Sequence, residues 1–143
     1  MSRRHILVID APYYSEISAS LMEGVLQALE EEGATHSYVS VPGVLEIPTA
    51  LAMALEGSKH YDGYVLIGCV IRGETTHYDI VANESARAIM ELSVRHRLAL
   101  GNGIQTVENE AQAWARAKVA EKNKGGGAAR ATLEMIALRE KLS

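Results

Sequence analysis

The chain has 143 residues, 48% of them apolar and 22% charged, with a net charge of -4 and a pI near 5.7. That length fits one domain over 1–143 with a single core, and the acidic balance lacks the clustered Lys and Arg that a nucleic acid or an anionic membrane requires, so neither is an expected partner. The lone cysteine, Cys69, has no partner for an internal disulfide and no secretory or long apolar segment stands out, so the expected setting is the reducing cytoplasm.

His5 to Asp10 reads as a short apolar strand that leaves through Ala11-Pro12-Tyr13-Tyr14-Ser15. Ile17, Leu21, Val25 and Leu29 then repeat on one helical face, Glu30-Glu31-Glu32 belongs in solvent, and Gly33 is placed to cap the helix C-terminus. His36 to Val41 alternates as a second strand and stops at Pro42-Gly43. From Leu45 onward, Ile47, Leu51 and Leu55 mark a second helix that ends near Gly57. Tyr64 to Ile71 is apolar on both alternating faces except at Gly68, the pattern of a central strand covered on both sides. Arg72-Gly73-Glu74-Thr75-Thr76-His77 is a polar turn, after which Ile80, Val81, Ser85, Ala88, Ile89 and Leu92 predict a helix with one buried face.

Leu98 to Val107 is a strand interrupted by glycines, which predict close backbone approach by a ligand or another chain. Asn109 and Gln112 have capping-box spacing and open a helix through Ala113, Ala117 and Ala120; Lys122 to Gly127 interrupts it, and Ala129, Leu133 and Ile136 carry the last helix to Arg139. This alternation predicts an α/β fold with one parallel sheet covered by helices on both faces.

The turn from Arg72 to His77 falls just beyond the carboxyl end of the central strand, where open α/β sheets bind ligands. A histidine at a helix start often does no more than satisfy backbone groups. His77, however, stands beside Gly73, Glu74 and Thr75, whose amides at a helix N-terminus can face an anion. A side chain that titrates near neutral pH in that position suits a proton shuttle in carbonyl, amine or phosphate-ester chemistry, the reading we favour. Lys124 precedes three glycines at a helix start, where charge, amides and dipole converge on a phosphate, whereas Lys118, Lys122 and Arg139 read as surface charges. The order GxxxxGK[ST] is missing, which disfavours ATP or GTP hydrolysis. Glu46 either complements a helix dipole or binds ligand hydroxyls beside an apolar wall of Val44 and Leu45, and Tyr13 either packs with its hydroxyl in water or stacks on a flat ring. Cys69 reads as a buried apolar residue of its strand, and His5, His36, His60, His77 and His96 show no metal-ligand spacing with Cys or carboxylates.

Together the segments VPGVLEIP (41–48), GCVIRGETTHYD (68–79), NGIQTVEN (102–109), QAWARA (112–117) and NKGG (123–126) resemble the lumazine synthase family in order and over most of the chain. The resemblance implies a flavodoxin-like three-layer αβα sandwich with a four-stranded parallel sheet. It also implies condensation of 5-amino-6-(D-ribitylamino)uracil with 3,4-dihydroxy-2-butanone 4-phosphate to 6,7-dimethyl-8-ribityllumazine in riboflavin biosynthesis. No metal or organic cofactor is implied. In that picture His77 is the acid/base, and Arg116 binds phosphate with the Glu74 and Thr75 amides and Lys124. Tyr13 stacks on the pyrimidine, which meets the backbone of Cys69, Val70 and Ile71, while Glu46, Val44 and Leu45 hold the ribityl chain. The family's pentamers imply active sites shared between subunits, with Asn102, Arg116 and Lys124 reaching His77 from the next chain.

Two departures stand out: the segment after Lys124 has glycines where many relatives carry an acid, and Asn102 replaces a large apolar or aromatic residue. The first leaves a second expectation open, a weakly catalytic flavin- or lumazine-binding carrier with the same assembly; a scaffold whose product is the assembly itself is disfavoured by the intact Tyr13, Glu46, His77 and Arg116.

Overall fold

Two apolar runs, one alternating stretch and one glycine-interrupted stretch become the four strands. The computed structural model describes residues 3–143, with parallel strands β1 (His5–Ala11), β2 (Thr35–Ser40), β3 (Gly63–Ile71) and β4 (Leu100–Val107). Their order, β2-β1-β3-β4, is the start of the flavodoxin-like arrangement. β3 is buried from Gly63 to Val70 because helices cover both of its faces, whereas β2 lies at an edge and leaves Tyr38 and Val39 in solvent.

Helices α1 (Ser15–Glu31), α4 (Glu110–Ala117) and α5 (Lys124–Leu142) pack on one face, against Ile6, Val8, Val65 and Ile67. On the other face α2 (Ile47–Glu56) and α3 (His77–His96) cover Leu7, Ile9, Tyr64 and Leu66. The three-layer α/β sandwich expected from the sequence is therefore present. Among the described residues no helix is long and apolar enough to cross a membrane.

Local chemistry explains the boundaries. α1 stops because Gly33 takes φ +68°, while the Ala34 amide donates to Leu29 O and the Gly33 amide to Glu30 O, each at 3.0 Å, the paired bonds of a Schellman cap. Ahead of α4, Asn109 Oδ1 accepts from the Gln112 amide (2.9 Å) and Gln112 Oε1 from the Glu108 amide (2.8 Å), a capping box shifted back by one residue on its return bond. The second helix begins later than Leu45, since Val44–Glu46 forms a 3-10 turn and Ile47 opens α2. Ile80 is 53% exposed. One position before Val81, it is rotated about 100° from the buried stripe of Val81, Ser85 and Ile89.

Three expectations for the C-terminal third are corrected. α4 ends at Ala117 and does not run through Ala120. The glycines after Lys124 do not interrupt a helix; they form the first turn of α5, where a Cβ on Gly125 would overlap the Leu21 carbonyl of α1. The glycines of β4 serve the same helix, since a Cβ on Gly101 would overlap the Ala128 carbonyl of α5. The close approach they permit is made by the chain's own α5.

Candidate active site

The chain leaves β1 through α1 toward β2 and leaves β3 through α3 toward β4, so the connections above these neighbouring strands diverge. A divergence of this kind opens a crevice at the carboxyl ends of the strands. Here the crevice is a cleft of about 550 Å³. Tyr13 and Tyr14 enter it from the β1–α1 loop, Val44, Leu45 and Glu46 from the 3-10 turn after β2, and Cys69, Val70 and Ile71 from the end of β3. Gly73, Thr75 and His77 close the side nearest α3.

His77 is the first residue of α3, and its side chain is exposed at the cleft. Its backbone N–H donates to Thr75 Oγ1 at 3.3 Å, leaving the imidazole free of the turn. The amides of Gly73, Glu74 and Thr75 donate to no backbone carbonyl among the described residues, so they are available to an anion beside a helix N-terminus. Arg72, by contrast, is occupied: Nε donates to Glu108 Oε1 at 2.9 Å, Nη1 to Asp79 Oδ2 at 3.4 Å, and the guanidinium lies 4.2 Å from the Tyr78 ring centroid.

The opposite walls are apolar and aromatic. Tyr13 is 74% exposed and makes a T-shaped pair with Tyr14 at a centroid distance of 5.0 Å and an interplanar angle of 85°. Burial pushes the Cys69 thiol up to about 11, so it stays protonated and serves as wall, not nucleophile. Among the described residues no cluster of His, Cys, Asp and Glu is arranged to hold a metal ion.

Four residues singled out in the sequence lie outside this cleft. Glu74 is exposed in the turn, but its side chain does not line the cavity. Asn102 sits on β4 opposite Leu66, where its Oδ1 accepts from the Ile104 amide at 3.0 Å, and it borders a separate polar hollow with Arg72 and Asp79. Arg116 is on α4, with Nη1 donating to Gln112 O at 3.1 Å, and Lys124 is exposed at the start of α5. Both helices lie across the sheet from α3. The first turn of α5 is also less available than its glycines imply, since Asn123 Oδ1 already accepts from the Gly126 amide at 3.2 Å.

Two features escaped the sequence reading. Tyr14 lines the cleft, and the aromatic pair Tyr13-Tyr14 was the available signal. Asp10 is 2% exposed at the end of β1, where Ser18 Oγ donates to both carboxylate oxygens (2.6 and 2.7 Å) and the Tyr38 hydroxyl to Oδ2 (2.5 Å). An acid closing an apolar strand was its only trace. The Asp10 carbonyl also accepts from the Val41 amide at 2.8 Å, so this one residue ties β1 to α1 and to the exit of β2, the two segments that lead into the cleft walls.

The sequence profile of the 6,7-dimethyl-8-ribityllumazine synthases matches residues 3–140. The 6,7-dimethyl-8-ribityllumazine synthase of Agrobacterium fabrum is 55% identical over 99% of this chain and 99% of its own length. That of Methylobacterium radiotolerans is 60% identical over 94% of this chain and 81% of its own, and 6,7-dimethyl-8-ribityllumazine synthase 1 of Rhizobium meliloti is 57% identical over 96% and 93%. With a parallel β2-β1-β3-β4 sheet and a histidine-edged cleft at its switch point, a match of this extent shows that the chain belongs to the 6,7-dimethyl-8-ribityllumazine synthase family.

Proposed function

We propose that this chain condenses 5-amino-6-(D-ribitylamino)uracil with 3,4-dihydroxy-2-butanone 4-phosphate to give 6,7-dimethyl-8-ribityllumazine, phosphate and water, in the cytoplasm and as part of riboflavin synthesis. The carrying observation is the placement of a free imidazole beside unpaired amides at one side of a cleft whose other sides are a tyrosine ring, an apolar wall and the end of a strand. The pyrimidine stacks on Tyr13 and meets the backbone of Cys69, Val70 and Ile71. Its ribityl chain runs toward Glu46 along Val44 and Leu45. The phosphate of the butanone rests at the Glu74 and Thr75 amides, which brings its carbonyl next to the amine and within range of His77. His77 then takes and returns protons through imine formation, phosphate departure and ring closure. Holding both reactants together accounts for up to roughly 7–11 kcal/mol of the barrier.

One chain supplies only half of this. No Lys or Arg lines the cleft among the described residues, while a phosphate ester is strongly anionic. Arg116 and Lys124 lie across the sheet from His77, so the reading requires them, with Asn102, from a neighbouring subunit in a pentamer. Exposed apolar side chains on α2 and α3, Met53, Ile80, Met90 and Val94, favour such packing.

The test is complementation. His77→Ala and Arg116→Ala proteins are each assayed for formation of the fluorescent product, then unfolded together, refolded at equal amounts and assayed again. Random mixing leaves about a quarter of the shared sites with both native residues, so activity returns to about that level. No recovery places both groups in one chain and sinks the shared site; full activity in both single variants sinks the role assignments.

A further inference from the structure

Tyr13 stands exposed in the cleft wall, yet a stacking platform works only if its plane is fixed before the substrate arrives. Its backbone sits in a loop, and its sole aromatic neighbour among the described residues is Tyr14. Tyr14 is held far better. It is the N-cap of α1, its carbonyl accepts from the Ser18 amide at 2.9 Å, and its ring packs against the α1, α4 and α5 core. Burial, first of several causes, raises its phenol above the ordinary value, as for a ring set into the structure. From that seat it presents a ring at 85° to Tyr13, the edge-to-face geometry that aromatic quadrupoles favour.

We infer that Tyr14 is a positioning residue for the pyrimidine-binding ring: it sets the plane of Tyr13 through an edge-to-face contact, and so governs binding of the ring-bearing substrate without touching the phosphate half of the reaction. This rests on the reading of Tyr13 as the stacking platform. The contact needs a ring and not a hydroxyl, since the Tyr14 hydroxyl makes no hydrogen bond to any described residue. An aliphatic replacement removes the device, and phenylalanine preserves it.

Steady-state constants for each substrate are measured in Tyr14→Leu, Tyr14→Phe and Tyr13→Ala, with thermal unfolding of each; Tyr14→Met replaces the leucine variant if that protein does not fold. The ring-free variant raises KM for the ribitylaminouracil roughly two- to twelvefold, the range an edge-to-face pair commands. Its KM for the butanone phosphate and its kcat stay within about twofold. Tyr14→Phe stays close to the parent. An unchanged uracil KM in the ring-free variant, an equal rise for both substrates, or a phenylalanine variant as impaired as the leucine one overturns the inference. If Tyr13→Ala also leaves the uracil KM unchanged, the platform itself is wrong; if Tyr13→Ala raises it and Tyr14→Leu does not, only the positioning role falls.

Discussion

The two faces of the sheet are built to different tolerances. On the α1, α4 and α5 side, helices close on the strands and on each other until a single methyl group at Gly101 or Gly125 meets a backbone carbonyl. On the α2 and α3 side, Met53, Ile80, Met90 and Val94 stand in solvent, and the exposed imidazole of His77 sits on the first turn of α3. An apolar groove between α3 and the C-terminal end of α5 is lined by Met90, Val94, Leu138 and Leu142. The contrast separates two duties: the closed face is packed to specify the fold, and the open face keeps apolar side chains and the cleft histidine accessible. Substitution of the exposed His77 therefore changes activity at constant stability, and substitution of the tightly packed Gly101 does the reverse.

The largest expected effect is on the open side. His77→Ala lowers kcat by about 10²- to 10⁴-fold, the usual share of a positioned acid/base, and leaves residual turnover from proximity. Thermal unfolding stays within about 0.5 kcal/mol of the parent, because the bond to Thr75 is made by the backbone of residue 77. A large loss of stability in this variant would assign the imidazole to the fold and blur the division between the faces.

Next comes the closed side. Gly101→Ala forces α5 off β4 and costs about 1–3 kcal/mol or more by overpacking against a carbonyl that cannot rotate away. Gly127, also in the first turn of α5, has open space where a Cβ would go. Gly127→Ala thus gains about 0.5–1 kcal/mol from reduced backbone freedom of the unfolded chain. Denaturant midpoints of the two variants should move in opposite directions; stabilisation by both would show that the Ala128 carbonyl does not set the packing limit at Gly101.

The same contrast explains what could be read from the residues. Apolar periodicity reports which side of an element is covered, so the parallel sheet, the central position of β3 and the helix faces followed directly from Ile6 to Ile9, Tyr64 to Ile71 and the Ile17 to Leu29 stripe. Periodicity does not report how closely two elements approach. Gly101 and Gly125 therefore looked like weak points or ligand contacts, when they are the places where α5 is packed hardest. In the site, residues in consecutive motifs, Val44 to Glu46 and Cys69 to His77, gather as their order implies because each follows a strand end. Asn102, Arg116 and Lys124 do not, since a motif states its chemistry but not which side of the sheet its element will occupy. Asp10 stayed hidden because its partners Ser18 and Tyr38 come from two different elements.

The smallest effect tests that hidden tie of β1 to α1 and β2. Burial, then the hydrogen bond to Asp10 and its charge, push the Tyr38 phenol from 10.0 up to about 12. Between those values the unfolded chain has already released the proton that the folded chain retains. The unfolded state then binds fewer protons, so stability falls as pH rises through this window and is fully expressed below pH 10. Tyr38 is 46% exposed, which screens the interaction and keeps the benefit near 1 kcal/mol or less at pH 8. Tyr38→Phe gives up that benefit and the alkaline sensitivity together. Urea midpoints at pH 8, 10 and 11.5 should show parent and variant converging as pH rises; a constant gap across the series would mean that the phenol stabilises β2 through packing and not through its bond to Asp10.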